Sequence, residues 1–436
     1  MKTSATIAAN RFGLGARPGE LSQIASDPRG WLHEQLGASP PAALADRPSS
    51  VQLVLDAMEM AAQADSAETT EMYRQAYLTA MSARASVVAS SLNPFRERLV
   101  WFWSNHFAVS TTKRKVLPLA GPFEREVIRA NLSGQFGDML LASTRHPAML
   151  LYLDNVRSIG PRSPVGRRRN KGLNENLARE ILELHTLGVD GGYDQADVIA
   201  LAKLLTGWGL GAARSRDGAF HFEGDRHEPG PKTVLGKTYR DGGERDGVAA
   251  LADLAAHPAT GHHVATKLVR HFVSDDPDLA SVAEIASVFQ RTGGDLGAVH
   301  AALIDLSAAW DPEPRKLKSP RELVISAARA LNRPGAGMEM VQSMKMLGQA
   351  PFSPPSPQGW PDVAAEWLGP ESVLNRVEWA RRVAREIAPA VGDVSDLAAA
   401  VLGDGLRPRT LRAIRRAGDP EQALALLFVS PDFQRR

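Results

Sequence analysis

The chain has 436 residues, 44% apolar and 23% charged, ordinary for a soluble globular protein but too long for one small domain. A net charge of +2 argues against a dedicated nucleic-acid binder, which carries a strong basic excess. The absence of cysteine excludes thiolate nucleophiles, iron–sulfur clusters, cysteine zinc sites and disulfides.

The opening MKTSATIAANRFGLGARPGEL has no apolar stretch long enough for a secretory signal. No uninterrupted apolar run approaches the roughly 18 residues of a membrane span. The expectation is a cytoplasmic chain without a membrane segment. GLGARPG mimics a dinucleotide loop, but no strand precedes it and Pro18 accounts for the turn.

Helical periodicity then dominates. Pro18 opens a helix through Ser26, and a short helix follows from Pro28 to Leu36. Residues 37–48 read as a connection. Residues 51–92 form a long helix or two, with a polar middle near 62–70. Residues 94–108 and 121–144 are helical, followed by an apolar segment at 147–153.

The pattern breaks at 210–247, where Gly, Asp, Arg and Thr dominate and Phe220 and Phe222 alternate with polar residues. This predicts a β-hairpin or irregular insertion. Helices resume at 247–257, 260–274, 278–291 and 295–309. In KSPRELV, Ser319 is the N-cap, Pro320 the first helical residue and Glu322 the third, a capping box. PFSPPSPQGWP at 351–361 cannot be helical and predicts a stiff extended loop. Helices close the chain at 362–368, 371–388, 393–402, 407–416 and 419–429. The fold class is mainly α, a multi-helix globular fold with a small β insertion. The expected lobes are 1–209, 210–247 and 248–436.

The stretch NENLAREILELHTLGVDGGY carries the chemistry best. At about 100° per residue, Asn176, Arg179, Glu180 and Glu183 fall in one quadrant, while His185 points the opposite way. A polar stripe on an otherwise apolar helix needs partners, a metal or a cleft. Either an Arg–Glu network fixes packing, or Glu180 and Glu183 bind a divalent cation or act as acid and base while Arg179 grips an anion. Di-iron bundles want Glu-x-x-His, which this spacing is not, and HExxH is absent.

Other polar groups interrupt apolar segments. Asn105 and His106 sit in WFWSNHF, Glu124, Arg125 and Arg129 in GPFEREVIRANL, and His146 and Asp154 in RHPAMLLYLDN. His221, His227, Glu228 and Lys232 lie in the insertion, where a loop histidine is a better candidate than a core one. The basic stretch 157–171 reads as a solvated loop.

These motifs together resemble the bacterial domain-of-unknown-function 1800 family. The likeness runs from NRFGLGARPGEL through WFWSNHF, GPFERE, LNENLAREILELHTLGVDGGYDQADV, RHEPGPKTVLG and KSPRELV to PFSPPSPQGWPD. The resemblance carries no established activity. It implies neighbouring genes of an alkaline-phosphatase or sulfatase-like kind, and relatives many of which look exported. Its motif positions include Asn105, His106, Glu124, Arg125, His146, Asp154, Asn174, Asn176, Arg179, Glu180, Glu183, His185, His227 and Lys232.

The leading expectation is a metal-assisted hydrolase acting on an anionic or sugar-like substrate. Glu180, Glu183, His106 and His227 would be catalytic, and Glu180, Glu183 and His227 would ligate a divalent metal. Arg179, Lys232, Asn105, Asn176 and Arg125 would bind substrate, with the proline loop walling the cleft. The rival is a non-catalytic scaffold or partner protein of a phosphatase- or sulfatase-like enzyme. Nucleic-acid binding through 157–171 has little else behind it.

Overall fold

The computed structural model describes residues 2–62, 66–169, 172–211, 219–333 and 337–436. Helices make up most of the chain, and the strands among the described residues form two antiparallel hairpins. The second lies within the expected insertion, and the first begins two residues before it, at Trp208. Strands β1 (Trp208–Leu210) and β2 (Phe220–Phe222) pair with Gly209 opposite His221. Strands β3 (Lys232–Val234) and β4 (Lys237–Tyr239) pair with Thr233 opposite Thr238. Between β3 and β4 both turn residues, Leu235 and Gly236, have positive φ, as a two-residue hairpin turn requires. Leu235 tolerates this because Asp197 Oδ1 accepts its N–H at 2.7 Å.

Local signals placed the helix ends. Helix Pro320–Ala330 begins where the capping box predicts, with Ser319 N–H donating to Glu322 Oε2 at 2.6 Å. Two His-Pro-Ala triplets start helices in the same way. His146 Nδ1 and His257 Nδ1 each accept the N–H two residues on, at 3.1 and 3.2 Å. The long element expected at 51–92 is two helices, Ser50–Ala62 and Ser66–Ser90. Part of the polar middle, 63–65, lies outside the described residues.

Four expectations needed correction. Pro18 does not open its helix, because Gly19 takes a left-handed φ of 83° and the helix runs only over Glu20–Ile24. The stretch 157–171, read as a loop, contains the helix Pro164–Arg169. The helix expected over 121–144 breaks at 130–135, so Ala120–Phe123 and the π turn Glu124–Arg129 are separate from Phe136–Arg145. Ser133 and Gly134 in the break favour turn backbone, and Phe136 N–H is drawn to Gly294 O at 2.8 Å. The segment 362–368 forms only a 3₁₀ turn, Ala364–Trp367.

Apolar side chains gather in two cores. One packs Phe12, Phe95, Trp103, Phe136, Phe272 and Leu303. The other packs Trp101, Leu323, Val341, Trp379, Leu424 and Phe428. The Pro94–His106 helix feeds both. Buried ion pairs lie along it: Arg98 with Glu322, Glu97 with Arg129, and Arg129 with Glu124. Arg436 joins the first pair at 3.0 Å from Glu322.

The proline loop is not helical, as predicted, but it is turned rather than extended: Ser353 N–H donates to Ala350 O at 3.3 Å and Gly359 N–H to Ser356 O at 3.1 Å. Prolines bring carbonyls without N–H donors, and side chains of neighbouring elements supply the donors. Ser110 Oγ reaches Pro354 O at 2.8 Å and Tyr77 OH reaches Pro351 O at 3.0 Å.

Candidate functional site

The stretch singled out in the sequence folds as an α-helix, Asn176–Glu180, that widens into a π turn, Ile181–His185. Such single-turn bulges recur at functional sites. Its two faces meet different surroundings, as the helical spacing predicts.

On the outer face Glu180 and Glu183 stand one turn apart beside two tyrosines. Burial and the Glu183 charge raise the Glu180 carboxyl above its ordinary value. Burial, then Glu180, pushes the Tyr152 phenol up to about 12. Burial, then Glu183, raises Tyr193. The result is a half-buried acidic face in which a proton is held more tightly than in water. Arg179 flanks it, donating to Gln195 Oε1 at 2.8 Å and Glu175 Oε2 at 3.2 Å. Asn176 is exposed at the helix start, its N–H on Asn174 Oδ1 at 2.9 Å.

On the inner face the helix ends against histidines. A helix C-terminus leaves carbonyls without backbone partners. His106 Nε2 meets His185 O at 3.1 Å, and His263 Nε2 meets Leu184 O at 3.1 Å. A carbonyl only accepts, so both rings carry the proton on Nε2. Two imidazoles from other helices thus cap the π turn. Their rings crowd together, with centroids 6.1 Å apart for His106 and His263 and 6.2 Å for His106 and His185. Burial, aided by Lys267, lowers His185 to about 3 and His263 to about 4, and lowers His106 as well. Burial also brings Lys267 itself down to about 8. The cluster is therefore neutral in its histidines, and His106 lies beneath the helix rather than on the Glu180 face.

His227 and Lys232 form a separate buried pair. His227 Nδ1 donates to Thr206 O at 2.9 Å, and its Nε2 accepts from Lys232 Nζ at 3.1 Å. Lys232 also donates to Glu228 O, and Glu228 in turn takes the Arg162 Nε at 2.6 Å. Burial lowers Lys232. Arg125 and Asn105 hold loops: Arg125 donates to Pro48 O at 2.5 Å, and Asn105 donates to Trp360 O at 2.9 Å.

Arg179, Glu180 and Glu183 thus lie close enough to feel one another's charge, with Tyr193 beside them, while Asn176 stands one turn before Glu180 on the same helix. Among the described residues no three His, Asp or Glu side chains are grouped so as to hold a metal ion. The ligand set Glu180, Glu183 and His227 is not assembled, because both nitrogens of His227 are already engaged with Thr206 and Lys232. The sequence reading missed Tyr152, Tyr193, His263 and Lys267 as members of the site, and it missed the pairing of His271 with Asp362. His271 Nδ1 donates to Asp362 Oδ2 at 2.6 Å across 91 residues of chain. No local pattern signals a pairing at that separation.

No helix among the described residues is long and apolar enough to cross a membrane. No curated protein and no solved structure matches the chain. The model of a protein family of unknown function, DUF1800, matches residues 7–435, and with nearly its whole length covered the chain belongs to that family.

Proposed function

We propose that the chain is a hydrolase acting on an anionic or sugar-like substrate at the Glu180/Glu183 face. The supporting observation is the raised carboxyl of Glu180 beside Glu183. A carboxyl that holds its proton tightly, one helical turn from a second carboxylate, is a usual arrangement for acid–base chemistry. Glu180 would hold and donate the proton, Glu183 would accept one, and the free edge of Arg179 would attract substrate charge. A cation remains compatible with this reading. Mg²⁺ is commonly held by one or two carboxylates plus substrate phosphate oxygens, so it would arrive with the substrate rather than in a closed protein shell.

A panel of nitrophenyl phosphates, sulfates and glycosides, assayed with and without Mg²⁺ or Mn²⁺, tests this. Turnover by the wild type should fall by about 100-fold or more in Glu180→Gln and in Glu183→Gln. Turnover that survives both substitutions would discard the site.

One observation favours the partner reading. On and beside helix Pro370–Ile387, Leu368, Val373, Leu374 and Val377 are exposed, Leu374 by 58%. An apolar stripe of this kind commonly marks a protein interface. Under this reading a phosphatase- or sulfatase-like partner covers it. Co-expression with such a partner should give a stoichiometric complex that Leu374→Asp breaks.

A further inference from the structure

A large cleft has none of Asn176, Arg179, Glu180 or Glu183 in its lining. It is a half-open cavity of about 1150 Å³ between helix Ser50–Ala62, helix Pro164–Arg169 and the β1–β2 hairpin. That volume is at or above the roughly 300–1,000 Å³ of ordinary small-molecule pockets. Its floor is apolar, built from Leu53, Val54, Met58, Leu119, Leu151 and Phe222. Apolar surface of this extent is unfavourable against water unless something covers it.

Its rim has the opposite character. Arg114, Lys115, Arg168, Arg169 and Arg226 line it against two carboxylates, Glu223 and Asp225. Glu223 is already paired with Arg226 at 3.3 Å. Lys115, Arg168 and Arg169 are exposed and make no ion pair among the described residues. Two separate stretches, 114–115 and 168–169, therefore bring unneutralised positive charge to the mouth of an apolar cavity. The net charge of the whole chain is only +2, so this concentration is local.

From the apolar floor and the cationic rim we infer that the cleft binds a single-chain amphiphile with an anionic head, such as a fatty carboxylate or an alkyl phosphate. The chain covers the floor, and the head group meets Arg168, Arg169 and Lys115. Nucleic acid fits the rim but leaves the floor bare. A bilayer surface fits the charges but does not fill a concave cavity. This inference is independent of the hydrolase reading and is read out by binding alone.

The test is isothermal titration of the full chain with monomeric dodecanoate and dodecyl phosphate, against dodecyl maltoside, which has the same tail and a neutral head. The anionic ligands should bind at least roughly tenfold more tightly, with the difference shrinking at high salt. Arg168→Ala with Arg169→Ala should weaken them by roughly tenfold, and these exposed positions leave folding intact. Ala57→Trp, which fills the cleft, should abolish binding of all three. Equal binding of the neutral and anionic ligands, no binding at all, or unchanged binding by Ala57→Trp overturns the proposal. So does a chain that binds phosphatidylglycerol vesicles or a single-stranded oligonucleotide but not the monomeric amphiphiles.

Discussion

Asn105 grips the backbone of Trp360 with both ends of its carboxamide. Its Nδ2 donates to Trp360 O at 2.9 Å, and Trp360 N–H donates to its Oδ1 at 2.8 Å. The contact joins positions 255 residues apart and fixes the proline loop against the Pro94–His106 helix. Gly359 makes it possible: its φ is +88°, and a Cβ there would stand 2.5 Å from Asn105 O.

Breaking this grip should loosen the loop. Asn105→Ala leaves two backbone groups unpaired, which costs about 1–3 kcal/mol. Gly359→Ala should cost at least as much, since it adds a steric clash to left-handed strain of about 1–2 kcal/mol. Urea unfolding compares the two, and limited proteolysis should show new cleavage within 351–361. Wild-type resistance in both variants would mean that the other ties, from Ser110, Tyr77 and Thr111, suffice to hold the loop.

Glu322 is the hub of a second tie. It is 3% exposed and serves both Arg98 and Arg436. Burial alone would raise its carboxyl, but Arg436 and Arg98 outweigh this and hold it well below 4.5. A depressed carboxyl stabilises the fold above its unfolded value and loses that contribution as pH falls through the folded value. Thermal stability should therefore drop below about pH 4.5, and Glu322→Gln should flatten part of that drop. At neutral pH the same substitution should destabilise by about 3–5 kcal/mol, because it strands two buried guanidiniums.

The histidine caps predict an acid limb of different origin. His185 and His263 are lowered by burial to about 3 and about 4. An unfolded histidine takes up its proton near pH 6.5, so the folded chain loses stability progressively as pH falls from there toward 4. His263→Gln, which keeps a donor for Leu184 O, should reduce the proton uptake on unfolding in that window. His263→Ala should in addition cost about 1–3 kcal/mol through the uncapped carbonyl. Unfolding followed at pH 7, 6 and 5 separates the two.

Glu180 should behave in the opposite sense. Its raised carboxyl means that ionisation opposes folding as pH climbs above about 4.5. Glu180→Gln is expected to leave the melting temperature unchanged at pH 4 and to raise it at pH 7, while removing turnover. Stability given up at a site is a common mark of function. A fall in melting temperature at pH 7 would assign Glu180 to packing.

What lies within a few residues of chain was legible in the sequence. The capping box at Ser319, the break at 210–247, the non-helical character of the proline loop and the division of helix 176–185 into a carboxylate face and a histidine face all follow from local spacing and backbone chemistry. Composition and periodicity likewise sufficed for the mainly α class. Tertiary structure alone decided what each face meets. Tyr152 and Tyr193 come beside Glu180 and Glu183, and His106 and His263 cap the π turn beneath. His271 finds Asp362, and Arg98 finds Glu322 across 224 residues. His227 is taken by Lys232 and so is withheld from the carboxylates. Spacing prescribes which side of a helix a residue occupies, because that is a short-range property of the backbone. Which partner waits there depends on how distant helices pack to bury their apolar surfaces, and no local pattern encodes it.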